Sequence, residues 1–301
     1  MPRAAILLTS YNHASHLREA LDSIWSQTFT DFEVIALDDG SSDNSRAILQ
    51  SDPRIVCSFS EANVGTYACL NRGLALASGE FIAVMNDDDV WSADKLKLQI
   101  ELMDAHPEVG LCSTGGHFID DKGSRLDGKP LGFDFPAVNT GDDCRALLRG
   151  NRIIASSALF RKSIAGEFND QLFGSGDWEM WLRLSARSRL GFVPGDHTLY
   201  RIHPGNASNR KNEVWKDDEV IRTWLRDRFD GWRELYETER EFLTNKAFNL
   251  NALGVVQILN GKKAEGRESL RQAQAIEPTF KRKVWMLASH LPQPIFRKLV
   301  R

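Results

Sequence analysis

Residues 81–91 read Phe-Ile-Ala-Val-Met-Asn-Asp-Asp-Asp-Val-Trp, five apolar side chains in a row and then a cluster of three carboxylates. An unbroken apolar run of this length predicts a strand covered on both faces. Similar runs lie at 4–8, 32–37 and 54–59. Between and after them the pattern turns helical, over about 16–27, 44–49, 66–77 and 92–105. Strand and helix in alternation predict an α/β protein with a doubly wound, mostly parallel sheet. Ligands of such sheets bind outside the carboxyl ends of the strands. Thr9-Ser-Tyr-Asn12, Asp38-Asp-Gly40 and Asn86-Asp-Asp-Asp89 end three of these strands, so all are expected to face one place.

Three adjacent carboxylates repel one another, and such a cluster persists at a strand end mainly where a cation neutralises it. Oxygen-only ligands favour a hard ion, Mg²⁺ or Mn²⁺, which can also bridge a diphosphate. In the plainer alternative, Asp89 caps the following helix and its neighbours are solvated loop acids. Asp38-Asp-Gly-Ser-Ser-Asp43 is a second acidic strand end. A carboxylate there can accept the N3–H of uracil, while Gly40 allows a tight turn and Ser42 or Asp43 caps the next helix. A βα turn built only of capping residues is the competing reading. Tyr11, at the same edge, can stack on a base or pack as a buried aromatic.

The rest of the chain sets bounds. Its 301 residues, 42% hydrophobic and 26% charged with net charge −3, give no support for nucleic-acid binding across the chain. Cys57, Cys69, Cys112 and Cys144 have neither paired nor metal-ligand spacing, which fits free thiols in a cytoplasmic protein. The apolar start is too short for a signal peptide, and no stretch approaches the roughly 18 apolar residues that span a bilayer. Beyond 106 the pattern is irregular, with Gly- and Pro-rich sequence over 136–141 and a helix over about 178–187. From 214 the chain reads as helical, placing a boundary near Lys211 between domains 1–211 and 212–301. Leu250, Leu253, Gly254, Ala273 and Pro278 have the spacing of one tetratricopeptide-like hairpin. Such repeats need about three neighbours to stand alone, so the expectation is a helical pair docked on the first domain. Residues 278–301 contain no acid and six basic residues, Lys281, Lys283 and Arg301 among them, interleaved with apolar ones. That mixture suits either an anionic membrane surface or a helix packed on the protein.

Several short motifs occur in order: Thr9-Ser-Tyr-Asn, Ser26-Gln-Thr-Phe, Asp38-Asp-Gly-Ser-Ser-Asp, Asn63-Val-Gly, Ala77-Ser-Gly-Glu-Phe-Ile and Asp87-Asp-Asp-Val-Trp. Gly176-Asp-Trp-Glu-Met-Trp-Leu-Arg and Tyr200-Arg-Ile-His-Pro-Gly-Asn-Ala-Ser follow. Together they resemble the family 2 inverting glycosyltransferases of Rossmann-like GT-A fold, over residues 4 to about 210. The resemblance implies that Thr9, Tyr11 and Asp39 hold a uridine base, that Asp87 faces the ribose, and that Asp88 is the metal ligand. It makes Asp177 the catalytic base, with Glu179 as a substitute, and places His203 as a metal or diphosphate contact. Asn86 stands where the family often has Asp, and Leu70 where it often has Arg. Arg72 or His13 would then supply the missing charge.

The chemistry agrees with that assignment. Displacing a nucleoside diphosphate from an anomeric carbon with inversion needs one carboxylate to take the acceptor proton, and a cation at the departing phosphates. An oxocarbenium-like transition state is expected. The implied protein is a cytoplasmic enzyme, peripheral at most on the inner face of a membrane. It would use a UDP-sugar and a glycan or lipid-linked acceptor in building cell-envelope polysaccharide. Three alternatives compete. A nucleotidyltransferase would need a Gly-rich basic loop where this chain has Thr9-Ser-Tyr-Asn-His13. The others are a non-catalytic sugar-nucleotide or glycan-binding module, and a helical docking platform formed by the tail. The residues that choose donor and acceptor are expected between about 115 and 151.

Overall fold

The computed structural model describes residues 1–128, 130, 134–135 and 144–300, so the expected Gly- and Pro-rich stretch at 136–141 and Arg301 lie outside them. Two compact units emerge: Met1–Leu147 with Asn151–Asn206, and Leu148–Gly150 with the chain from Ala207 on.

The first unit opens with β1 (Ala4–Ser10), α1 (Ala14–Trp25), β2 (Phe32–Asp38), α2 (Ser45–Gln50), β3 (Ile55–Phe59), α3 (Thr66–Leu76) and β4 (Phe81–Asn86). Every residue of β1 is buried, as an unbroken apolar run requires of a strand covered on both faces. α1 buries Leu17, Ala20, Leu21 and Ile24, one stripe at helical spacing. Gly73 lets α3 sit close to the sheet, since a Cβ there would meet Leu37 Cδ1 at 2.7 Å. The strands pair in parallel in the order β3-β2-β1-β4. Their register sets Thr9 opposite Asn86 and Ser10 opposite Asp38, so the three polar strand ends do share one edge.

β5 (Val90–Trp91), α4 (Lys95–Ala105), β6 (Val109–Ile119), α5 (Cys144–Arg149), β7 (Leu159–Arg161), α6 (Lys162–Ala165), α7 (Gly176–Ser185) and β8 (Arg189–Arg201) follow. They extend the sheet to eight strands, continuing from β4 as β7-β6-β8-β5. This half is mixed: β7 and β5 run antiparallel to their neighbours, while β6 and β8 are parallel. Asn86 and Val90 are four residues apart, yet β4 and β5 lie four strand positions apart. Four strand spacings of ~4.8 Å need ~19 Å in a flat sheet, whereas four extended residues reach about 14 Å. The sheet must therefore curl, and Asp87–Asp89 bridge the curl.

The second unit is helical: α8 (Lys211–Arg228), α9 (Glu239–Leu259), α10 (Lys263–Ile276), α11 (Phe280–Ala288) and α12 (Gln293–Leu299). α9 and α10 form a close hairpin in which Leu253, Leu270 and Ala273 are fully buried. Gly254 and Gly266 set its spacing, for a Cβ on Gly266 would lie 2.6 Å from the Gly254 carbonyl oxygen. Gly266→Ala is expected to destabilise the protein by about 1–2 kcal/mol, because overpacking against backbone outweighs a helix-propensity gain of up to ~1 kcal/mol. A thermal melt of the variant at or above that of the unaltered chain would contradict this. Trp215, Trp285 and Leu291 pack around buried Ile258, Leu259 and Phe296. Among the described residues no helix is long and apolar enough to cross a membrane.

Candidate active site

The acids that end β4 are buried rather than solvated. Asp89 does not cap α4, whose N-cap residue is Asp94. It instead ties three segments together, accepting from the Arg201 backbone N–H at 3.0 Å, from the Ser156 hydroxyl and from Asn86 Nδ2. Burial and then the neighbouring Asp88 charge push its carboxyl well above the usual range. Arg201, itself buried, donates from Nε to the Asp88 carbonyl at 2.8 Å, from Nη1 to the Asp120 carbonyl at 3.0 Å and from Nη2 to Glu19 Oε2 at 2.6 Å. The acidic turn is thus built around a guanidinium supplied from the end of β8.

Asp87 turns toward the end of β1. Its Oδ2 accepts the Tyr11 backbone N–H at 3.1 Å, and its Oδ1 lies 2.8 Å from His13 Nδ1. Burial alone would lower the His13 pKa, but the hydrogen bond to Asp87 and the charges of Asp87, Asp88 and Asp43 outweigh it and raise the ring to about 9. Thr9 donates to Asn86 Oδ1 at 3.1 Å, joining the two strand ends. The Tyr11 ring stands 40% exposed above them, so it is free to stack rather than committed to the core. Asn12, at φ 57°, accepts the Ser42 backbone N–H at 2.8 Å and locks the β1 loop to the β2 loop.

Asp88 faces the loop after β8. Its Oδ2 lies 2.9 Å from His203 Nε2 and accepts from Asn206 Nδ2 at 3.3 Å. The Gly205 N–H points at His203 Nδ1, so the neutral ring carries its proton on Nε2, toward Asp88. The potential ligand atoms of His13, Asp88 and His203 all lie within 4.8 Å of one another. Protonated against Asp87, His13 offers no lone pair, so Asp88 and His203 are the available donors. A carboxylate with an imidazole departs from the oxygen-only set expected from sequence and suits Mn²⁺ better than Mg²⁺.

Asp39 and Asp177 are linked through a single short segment. Both Asp39 carboxylate oxygens accept backbone N–H groups, Val64 at 2.7 Å and Gly65 at 2.9 Å, which pins the start of α3. Gly40, at φ 79°, has no room for a side chain, since a Cβ would sit 2.6 Å from the Ala62 backbone. Two residues past Gly65, the Tyr67 hydroxyl reaches Asp177 Oδ1 at 3.4 Å. Asn151 Nδ2 donates to Asp177 Oδ2 at 3.0 Å, and the Trp178 N–H donates to Oδ1 at 2.7 Å. Gly176 allows this approach, because a Cβ on it would lie 2.8 Å from the Tyr67 ring. Half-buried at the start of α7, Asp177 has its pKa raised to about 6 by burial, against the lowering effect of those hydrogen bonds.

The remaining candidates are engaged elsewhere. Arg183 shares its Nε–H between the two Glu179 carboxylate oxygens at 2.9 and 3.1 Å, and its Nη1 donates to the Ala165 carbonyl. Arg72 donates to Cys69 Sγ at 3.3 Å within α3, while Leu70 is buried and His13 is the cation beside Asp87. Tyr67, Asn151, Ser156 and Arg201 were not foreseen as site residues. Only Arg201 had a sequence signal, lying between Tyr200 and the His203 loop.

A curled mixed sheet of eight strands with helices packed on it is the fold of a GT-A glycosyltransferase. The family model for glycosyl transferase family 2 matches residues 5–166, and the chain belongs to that family. An uncharacterised glycosyltransferase of Rickettsia typhi is 28% identical over 222 residues, spanning 69% of this chain but 66% of its own length. Staphylococcus aureus TarS 1–349, solved with UDP-GlcNAc, matches at TM-score 0.62 and 15% identity over 98% of this chain and 92% of its own. The Pyrobaculum calidifontis mannosyltransferase PcManGT, solved with GDP-Man and Mn²⁺, matches at TM-score 0.60 and 16% identity over 99% of this chain and 86% of its own. At those identities the likeness is one of fold.

Proposed function

We propose that this chain is an inverting, metal-dependent glycosyltransferase that moves a sugar from a nucleoside diphosphate, UDP in preference, to a hydroxyl of a glycan or lipid-linked glycan. The observation that carries the reading is Asp177, a carboxyl raised to about 6 and oriented by Asn151 and Tyr67. The segment that positions it also holds Asp39. A base with a pKa near the working pH is both largely ionised and able to take a proton.

In this mechanism Asp39 accepts the N3–H of uracil with lone pairs its two backbone contacts leave available. Tyr11 stacks on the base, Thr9 holds the strand edge beneath it, and Asp87 meets the ribose. Asp88 and His203 would hold a divalent cation, which would supply neutralising charge for the diphosphate leaving group. Asp177 removes the acceptor proton as the acceptor oxygen bonds to the anomeric carbon. The bond from that carbon to the phosphate oxygen breaks on the opposite face, and UDP leaves. The complexes of TarS with UDP-GlcNAc and PcManGT with GDP-Man and Mn²⁺ support a nucleotide sugar and a divalent ion in this fold.

A panel of UDP-, GDP- and other nucleotide sugars, titrated calorimetrically with Mn²⁺ or Mg²⁺ and again with chelator, tests the reading. Binding of a UDP-sugar that disappears on chelation is expected. No binding of any nucleotide sugar with either ion would refute it.

A further inference from the structure

The end of the helical unit carries an apolar face that nothing described covers. Phe280 is 83% exposed, Leu287 is 73% exposed, and Val284 between them is also exposed. At 3.6 residues per turn these three share one side of α11. Lys281 and Lys283 are exposed and fall on the two flanks of that stripe. The opposite face is already spent, with Arg282 buried and Trp285 and Met286 packed on the helical core. α12 repeats the pattern on a smaller scale, with Ile295 and Leu299 exposed one turn apart beside exposed Lys298.

Charge discriminates among the partners such a face could take. There is no Asp or Glu from 278 onward, and the acid just before, Glu277, is occupied by Arg282. Among the described residues Lys281, Lys283 and Lys298 form no ion pair, unlike Arg282, which is turned inward. The same face of a second copy, in a symmetric contact, would set lysines against lysines. We infer that the α11–α12 face lies on an anionic lipid surface, its apolar side chains among the acyl chains and its lysines at the head groups. Pro292 stands between the two helices as the N-cap of α12 and Pro294 lies in its first turn, so two short helices rather than one long one make the contact.

The full chain, sedimented with vesicles of phosphatidylcholine containing phosphatidylglycerol, is expected to pellet at low salt. Recovery should fall as salt rises, because screening shortens to about 8 Å at physiological ionic strength. Lys281→Glu with Lys283→Glu should weaken partitioning by more than tenfold, since each lysine near the surface contributes roughly fivefold. Phe280→Ser with Leu287→Ser, on side chains too exposed to support the core, should do the same with an unchanged thermal melt. Pure phosphatidylcholine should recover little protein. Equal recovery with and without anionic vesicles, or unchanged binding by both double variants, would overturn the inference. So would a serine variant whose only effect is to shift a dimer to monomer in gel filtration.

Discussion

Asp177→Asn is expected to lower turnover by about two to four orders of magnitude while leaving UDP affinity near that of the unaltered chain. The amide keeps the shape of the carboxyl and can still accept from the Trp178 N–H, so α7 should start as before. What it loses is basicity, which matters only as the acceptor proton leaves. The active form is the carboxylate, and burial raises its pKa to about 6. Below that pH kcat/KM should fall about tenfold per unit, and above it the rate should level off. The acidic limb should vanish in the asparagine variant. An active Asp177→Asn beside an inactive Glu179→Gln would transfer the role of base to Glu179, despite the pair that Glu179 makes with Arg183.

Loss of the Asp88 carboxylate should be at least as damaging, and in a different way. Asp88→Ala is expected to reduce turnover by about 10²–10³-fold or more and to weaken UDP binding in Mn²⁺ or Mg²⁺. In excess chelator the variant and the unaltered chain should bind UDP equally weakly, because the missing ligand then has nothing to hold. Asp88 also receives His203 and Asn206, so Asp88→Asn is the companion variant. Its amide oxygen still accepts these contacts, and a normal melt with lost metal response would separate ligation from folding. Full activity of either variant, or of the unaltered chain in chelator, would rule out the metal role.

The strands of the first half were legible because burial on both faces leaves an uninterrupted apolar signature, and β1 to β4 start within a residue of their expected positions. β6 and β8 were not legible, although they are the longest strands described. Their apolar pattern is broken by glycines demanded by close neighbours: a Cβ on Gly115 would lie 2.5 Å from the Gly195 carbonyl, and Gly116 abuts the Thr198 carbonyl. α4 begins at Lys95 rather than 92 because the Ser92 N–H donates to the His197 carbonyl and the Ala93 carbonyl accepts the Thr28 N–H. At the site, acids that end strands could be placed from sequence, since parallel register collects strand ends on one edge. The groups that orient them could not. Arg201 reaches Asp88 across 113 residues, and Asn151 reaches Asp177 across 26, with no local periodicity to announce either contact.

The curl of the sheet has a consequence for what this chain can tolerate. Surface loops ordinarily gain or lose residues at little cost, since closure entropy changes slowly with length. Asp87, Asp88 and Asp89 have no such freedom, because Val90 must still pair with Leu199 and Asn86 must still face Thr9. One residue fewer would pull the far rim of the sheet out of register, and one more would rotate a carboxylate away from His13 or His203. The acids therefore act as a gauge block whose length is set by the sheet that they close. Side chains around them can be exchanged without moving a strand, but the count of residues between β4 and β5 is dictated by the architecture of the sheet.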